Sequence, residues 1–170
     1  ALLRAPGDLV ALSLERSTPT YTVLAYVPMP DAAVLSGSSA VYPSDVASRY
    51  LQLPPGLDPR LSSLVTSWIG DSTTQYDKAF AIERQLRGFT YSLDLPLPPE
   101  NQELVSWFIF DLKRGYCDYY ASAMVVMARL AGIPARLAIG YATGDFDAAT
   151  GQYVVTELQA HSWPELYFPG

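Results

Sequence analysis

The sequence predicts an α+β fold, with helices first, antiparallel strands after, and one long helix packed on the sheet. Three observations carry this expectation. Apolar residues recur at helical spacing between about residues 58 and 131. From Arg136 onward the period changes from 3.6 to 2. Gly132 and Pro134 stand between the two regimes and stop the last helix. A doubly wound sheet would instead alternate strands and helices along the chain.

Residues 1–57 read as a Pro-rich, strand-containing lead-in, and residues 58–170 as the core. Tyr21 to Val27 is rich in β-branched and aromatic residues and predicts a strand, which Pro28 and Pro30 stop. Pro43, Pro54 and Pro55 then punctuate irregular chain. Asp58-Pro59 predicts an N-cap with proline at the first helical position, opening a helix to about Ile69. A second helix is expected from about Thr74 to Arg87, with Tyr76, Ala79, Phe80, Ile82 and Leu86 on one broad face. Gly88 falls where a left-handed C-terminal cap belongs. Phe89 to Leu93 predicts a short strand, and residues 94–102 a loop. Val105 to Phe110 is either a short helix or a buried segment. Cys117 to Ala131 is the longest periodic segment, with Ala121, Met124, Val125 and Ala128 on one face. Three strands are expected after it: Arg136 to Tyr141, Gln152 to Leu158 and His161 to Phe168, with Asp145 to Gly151 connecting the first two.

Composition excludes several functions. The chain has 170 residues, enough for one domain with a core that needs no disulfide or metal to fold. Its single Cys rules out an internal disulfide, and one Cys with one His does not make a structural zinc site. No Asp/Glu cluster has the spacing of a calcium loop. We therefore expect neither metal nor cofactor. The net charge of −6 argues against nucleic-acid binding, which needs a basic stripe. No apolar run approaches a membrane span.

The single Cys and the single His carry the chemistry. Cys117 opens its helix, where unpartnered N–H groups and the positive end of the dipole favour a thiolate and could hold an acyl oxyanion. Asp118 opposes this by placing a negative charge beside the sulfur. His161 opens a strand in the same half of the chain and could take the thiol proton. A lone Cys is commonly a small buried hydrophobe, and a lone His a surface or core residue. Their placement at the start of a helix and of a strand expected to pack together weighs against both readings. Trp163 shares the face of His161 and could shield the pair or bind an acyl side chain; Tyr116 and Tyr119 could line the cleft; Trp107 could offer its indole N–H to an oxyanion. Each has a plainer reading as packing, and Arg136 as half of a structural ion pair. No third group to orient the His is evident. Glu165 lies roughly 13 Å along the strand, and nothing recommends Glu157 or Asp118.

Three blocks in this order resemble the transglutaminase-like superfamily: Arg114-Gly115-Tyr116-Cys117-Asp118-Tyr119-Tyr120-Ala121, then Gly132-Ile133-Pro134-Ala135-Arg136 followed by Gly140-Tyr141, then His161-Ser162-Trp163-Pro164-Glu165. With the helices upstream of them, the segment resembles the prokaryotic branch in which the domain belongs to a multi-span membrane protein and lies outside the cytoplasm. The resemblance implies a papain-like α+β fold, Cys117 as nucleophile and His161 as general base. It implies an acid on the strand after the His strand, beyond Gly170, so the triad acid is not in this chain. It also implies a peptide or protein substrate, with a Gln side chain the first choice. The expected activity is thiol acyl transfer or amide hydrolysis through a Cys117 thioester; the alternative is a non-catalytic extracytoplasmic binding or scaffold domain.

Overall fold

A computed structural model describes residues 2–5, 8–12, 20 and 29–169. The strand expected over Tyr21–Val27 lies outside the described residues. The chain begins with an antiparallel hairpin of β1 (Leu2–Ala5) and β2 (Asp8–Leu12). The stretch read as irregular holds two short helices, α1 (Ala32–Ser36) and α2 (Ser44–Tyr50). Asp31 caps α1 by accepting from the Val34 N–H at 2.8 Å, and α2 starts directly after Pro43.

The helical core follows the predicted order. α3 (Arg60–Ile69) starts one residue after Pro59, and Asp58 accepts from the Arg60 N–H at 2.9 Å. In α4 (Gln75–Leu86) the Thr74 hydroxyl accepts from the Asp77 N–H at 3.0 Å and so caps the helix. Gly88 is not the left-handed cap expected of it. The chain leaves α4 through Arg87 in right-handed conformation, so the turn needs no positive φ. β3 (Thr90–Tyr91) pairs in parallel with β4 (Arg114–Gly115). Between them, α5 (Leu104–Trp107) runs into a wider π-helical turn over Phe108–Leu112. The segment from Val105 to Ile109 is buried throughout, which resolves the ambiguity of its period.

α6 (Cys117–Leu130) passes through the middle of this core. Its Ala123, Met127 and Ala128 are fully buried, alongside Leu61 of α3, Ile82 of α4 and Phe108. It ends in a Schellman motif. The Ile133 N–H bonds the Ala128 carbonyl at 2.9 Å, the Gly132 N–H bonds Arg129 at 3.0 Å, and Gly132 takes φ 77°. The buried Ile133 is the apolar residue that accompanies such a stop. Arg129 then ties the turn down by donating to the Ala135 carbonyl at 2.9 and 2.7 Å and to the Gln52 carbonyl at 2.6 Å.

β5 (Ala135–Tyr141) and β8 (Ala160–Leu166) form the antiparallel sheet that packs against α6. Their register sets Gly140 opposite His161, Ala138 opposite Trp163 and Arg136 opposite Glu165. The expected connection 145–151 is half strand: β6 (Asp145–Asp147) pairs with β7 (Gln152–Val154) in a separate hairpin. The strand expected to reach Leu158 therefore stops at Val154. Thr156 and Gln159 form a reciprocal capping box there, turning Glu157–Gln159 into one 3₁₀ turn that leads into β8.

Candidate active site

The nucleophile candidate is fixed by the turn before it. Lys113 adopts φ 52° and turns the chain out of the π-helical segment into β4. Gly115 follows with no room for a side chain: an added Cβ would lie 2.8 Å from Cβ of Tyr119 and 3.1 Å from the Phe108 ring. This close approach lets α6 begin at Cys117. The N-cap position is Tyr116, whose side chain makes no capping bond, so the first-turn N–H groups keep no side-chain acceptor. Cys117 is a half-buried free thiol, and its Sγ lies 3.8 Å from Oδ1 of Asp118.

Cys117 and His161 line one open cavity of about 420 Å³. α6 contributes Cys117, Tyr120, Ala121 and Met124, a stripe at i, i+3, i+4 and i+7. Glu83 and Leu86 of α4, with Arg87 just after it, form another wall, and the Glu83 carboxylate pairs with the Arg87 guanidinium. Phe89 and Tyr91 close one side, and β8 supplies His161, Ser162, Trp163 and Pro164. The Tyr91 ring stacks on Tyr120 at 6.2 Å, and the His161 ring lies over Trp163 at 6.4 Å with 20° between planes. Burial raises the Tyr120 hydroxyl above its ordinary pKa, with the nearby Tyr91 adding to the effect. Its buried oxygen has no hydrogen-bond partner.

Of the supporting residues expected from sequence, only Trp163 joins the pair in this cavity. Tyr119 stands two positions from Cys117 on α6 and so points to another face, into the core, at 8% exposure. Burial, followed by the charges of Tyr116 and Asp118, raises its pKa. Tyr116 packs edge-on against Tyr119 at 5.1 Å and does not line the cavity. Trp107 is 7% exposed and packs on Tyr119, so its indole is part of the core and not of an oxyanion site. Arg136 forms the structural ion pair, 2.6 Å from Glu165. Glu165 also accepts from the Trp163 indole at 3.4 Å, which occupies it away from His161. Among the described residues no hydrogen bond joins the thiol to the imidazole, and no carboxylate bonds His161. Among them, too, no three His, Cys, Asp or Glu side chains cluster as a metal site, and no helix is long and apolar enough to cross a membrane.

Sequence reasoning missed Tyr120, Met124 and Leu86 as cavity walls. The signal was present: Tyr120 and Met124 lie on the helical stripe that starts at Cys117. It also missed the bond between the Ser162 hydroxyl and Oδ1 of Asp118, at 2.6 Å. That contact is tertiary, and spacing along the chain does not encode it.

A half-buried thiol at a helix start, sharing a cavity with an imidazole on an adjacent strand, is the arrangement of thiol-dependent acyl-transfer folds. A sequence model of the transglutaminase-like superfamily matches residues 62–170, and the chain belongs to that superfamily. An uncharacterized protein of Bacillus subtilis, YebA, is 41% identical over 130 residues, covering 72% of this chain and 18% of that protein. A protein-glutamine gamma-glutamyltransferase of Pseudomonas aeruginosa is 31% identical over 121 residues, covering 71% of this chain and 18% of that enzyme. The crystal structure of the periplasmic domain of TgpA from Pseudomonas aeruginosa superposes with TM-score 0.68 at 30% identity, covering 76% of this chain and 45% of that one. The chain thus spans under a fifth of the curated relatives it matches and under half of the matched structure.

Proposed function

We propose that this chain is the catalytic domain of a cysteine-dependent acyltransferase or amide hydrolase that acts on peptide or protein amides outside the cytoplasm. The observation that carries the reading is the shared cavity of Cys117 and His161. Cys117 attacks the amide carbonyl. His161 takes the thiol proton and delivers it to the departing ammonia or amine, leaving a thioester. The unpaired N–H groups at the start of α6 hold the oxyanion. Attack by an amine then gives transamidation, and attack by water gives hydrolysis. The Gln side chain is the first choice of substrate, because a relative carries the name protein-glutamine gamma-glutamyltransferase. The apolar wall of Leu86, Phe89, Tyr91, Tyr120 and Met124 restrains water at the thioester. The extracytoplasmic setting is supported by the likeness to a periplasmic domain, and a membrane-spanning parent by the same likeness. The family resemblance implies that the acid orienting His161 belongs to a strand after β8; among the described carboxylates, Glu165 is engaged by Arg136 and Trp163, and Asp118 by Ser162.

One observation favours a second reading, a non-catalytic binding or scaffold domain: His161 is exposed and no described carboxylate holds it. The deciding experiment assays deamidation and amine incorporation on a Gln-peptide panel, with wild type and Cys117→Ala side by side. Turnover that disappears with Cys117 supports the enzyme. Absence of Cys117-dependent turnover across the panel, in a protein that extends through the strand after β8, would favour the binding domain instead.

A further inference from the structure

We infer that Asp118 and Ser162 are a positioning pair that sets the distance between the nucleophile and the general base; the inference rests on the thiol chemistry proposed above. Asp118 is the residue after Cys117, and Ser162 is the residue after His161. Ser162 is 3% exposed, so its hydroxyl needs a partner inside the protein. The partner is Oδ1 of Asp118 at 2.6 Å, within the range of a hydroxyl donating to a carboxylate. One short bond therefore joins the two segments a single residue away from each reacting group.

The geometry gives this bond a specific task. The Ser162 side chain reaches Asp118 at the start of α6, while its neighbours His161 and Trp163 stack on each other at the cavity. The thiol and imidazole make no hydrogen bond with each other, so nothing direct sets their separation. The β5 ladder holds β8 along its length, with Gly140 opposite His161, but among the described residues no hydrogen bond joins β5 to the start of α6. Asp118 and Ser162 supply that cross-link. The same Oδ1 lies 3.8 Å from Sγ, so the carboxylate also orients the thiol. Engaging it with Ser162 places its charge in a hydrogen bond rather than leaving it free beside the sulfur. A displacement of about 1 Å between reacting groups costs on the order of 10²-fold in rate, so a tether of this kind reads out in kcat.

The test uses the full chain and two readouts. The first is kcat and KM on a Gln peptide. The second is the rate of iodoacetamide labelling of Cys117 across about pH 5 to 10, taken as the difference from His161→Ala. Ser162→Ala and Asp118→Ala should each lower kcat by roughly 10- to 100-fold with KM little changed, and shrink the His161-dependent labelling. The double variant should be no worse than Asp118→Ala alone, because both substitutions remove the same bond. Ser162→Thr and Asp118→Asn, which keep a hydroxyl donor and an oxygen acceptor, should recover most of the loss; they also serve if an alanine variant fails to fold. Additive losses, unchanged singles, or failure of the conservative pair to recover would each overturn the inference. If wild type shows no Cys117-dependent turnover, the proposed function fails, and labelling still decides: an unaltered His161-dependent profile in Ser162→Ala rejects the pair.

Discussion

The two ends of the candidate site are built differently. Cys117 opens a helix whose following residues are buried from Ala123 to Ala128, in contact with α3, α4 and α5. His161 sits exposed on a strand that among the described residues has one partner strand, and next to it the ladder carries Ile139 and Tyr141 at 79% and 58% exposure. Cys117 inherits its position from the core. His161 takes its position from a ladder, a stacked tryptophan and the Asp118–Ser162 bond. Damage at the first end should therefore reach stability, and damage at the second should reach chemistry alone.

The largest expected effect separates these outcomes most sharply. His161→Ala should lower amide turnover by about 10³-fold or more while leaving the melting temperature nearly unchanged, since an exposed side chain without bonds contributes little to stability. Steady-state kinetics beside thermal unfolding checks both halves. Met127→Ala, fully buried on α6, should do the reverse, costing about 2–5 kcal/mol in denaturant unfolding. Gly115→Ala bridges the two ends. Its Cβ collides with Tyr119, so about 1–3 kcal/mol should go to overpacking, and Cys117 labelling should change because the turn that seats it must shift. A Gly115→Ala protein of wild-type stability and labelling would show that the turn does not set the thiol.

The sequence made the first end more legible than the second. α3, α4 and α6 are written in repeated apolar spacing, and Gly132 with Ile133 states the stop of α6 locally. β5 and β8 were also readable from alternation. The hairpin of β6 and β7 was not, because exposed strands such as Asp145-Phe146-Asp147 have no buried face to impose a pattern. The turn at Thr156 was readable in principle, since a Thr followed three residues later by Gln is a capping box. Cys117 and His161 stood out as single residues of their kind; Tyr120 and Met124 lie on the helical stripe from Cys117 but were missed as cavity walls. Tyr116, Tyr119 and Trp107 were drawn toward the cleft by chemical type, but helix phase and core packing turn them elsewhere. The Ser162–Asp118 bond needed the fold.

Smaller effects sharpen the same contrast. Arg129→Ala removes a guanidinium from the Ala135 and Gln52 carbonyls and should cost about 1–3 kcal/mol, with no change in the pH profile of labelling. Burial lowers the Arg129 pKa, yet it stays charged across the working range, which is why no titration should accompany the loss. The smallest effect is at Asp147. Bonds from Thr150 and then Ala149 hold its carboxyl below the usual carboxylate range. A depressed folded-state pKa stabilises the hairpin above the unfolded value of about 3.9 and loses that contribution as pH falls. The protection of the Ala149 amide, its exchange rate relative to the intrinsic rate at the same pH, should fall on acidification and should be low at all pH values in Asp147→Ala.

The central claim is a thioester at Cys117. Intact-mass measurement after rapid acid quench of the full chain with a Gln peptide tests it directly. The account predicts an adduct of the peptide mass less ammonia, located on Cys117 by fragmentation and absent from Cys117→Ala. Deamidation or amine incorporation that persists in Cys117→Ala, with no adduct on wild type, would contradict it.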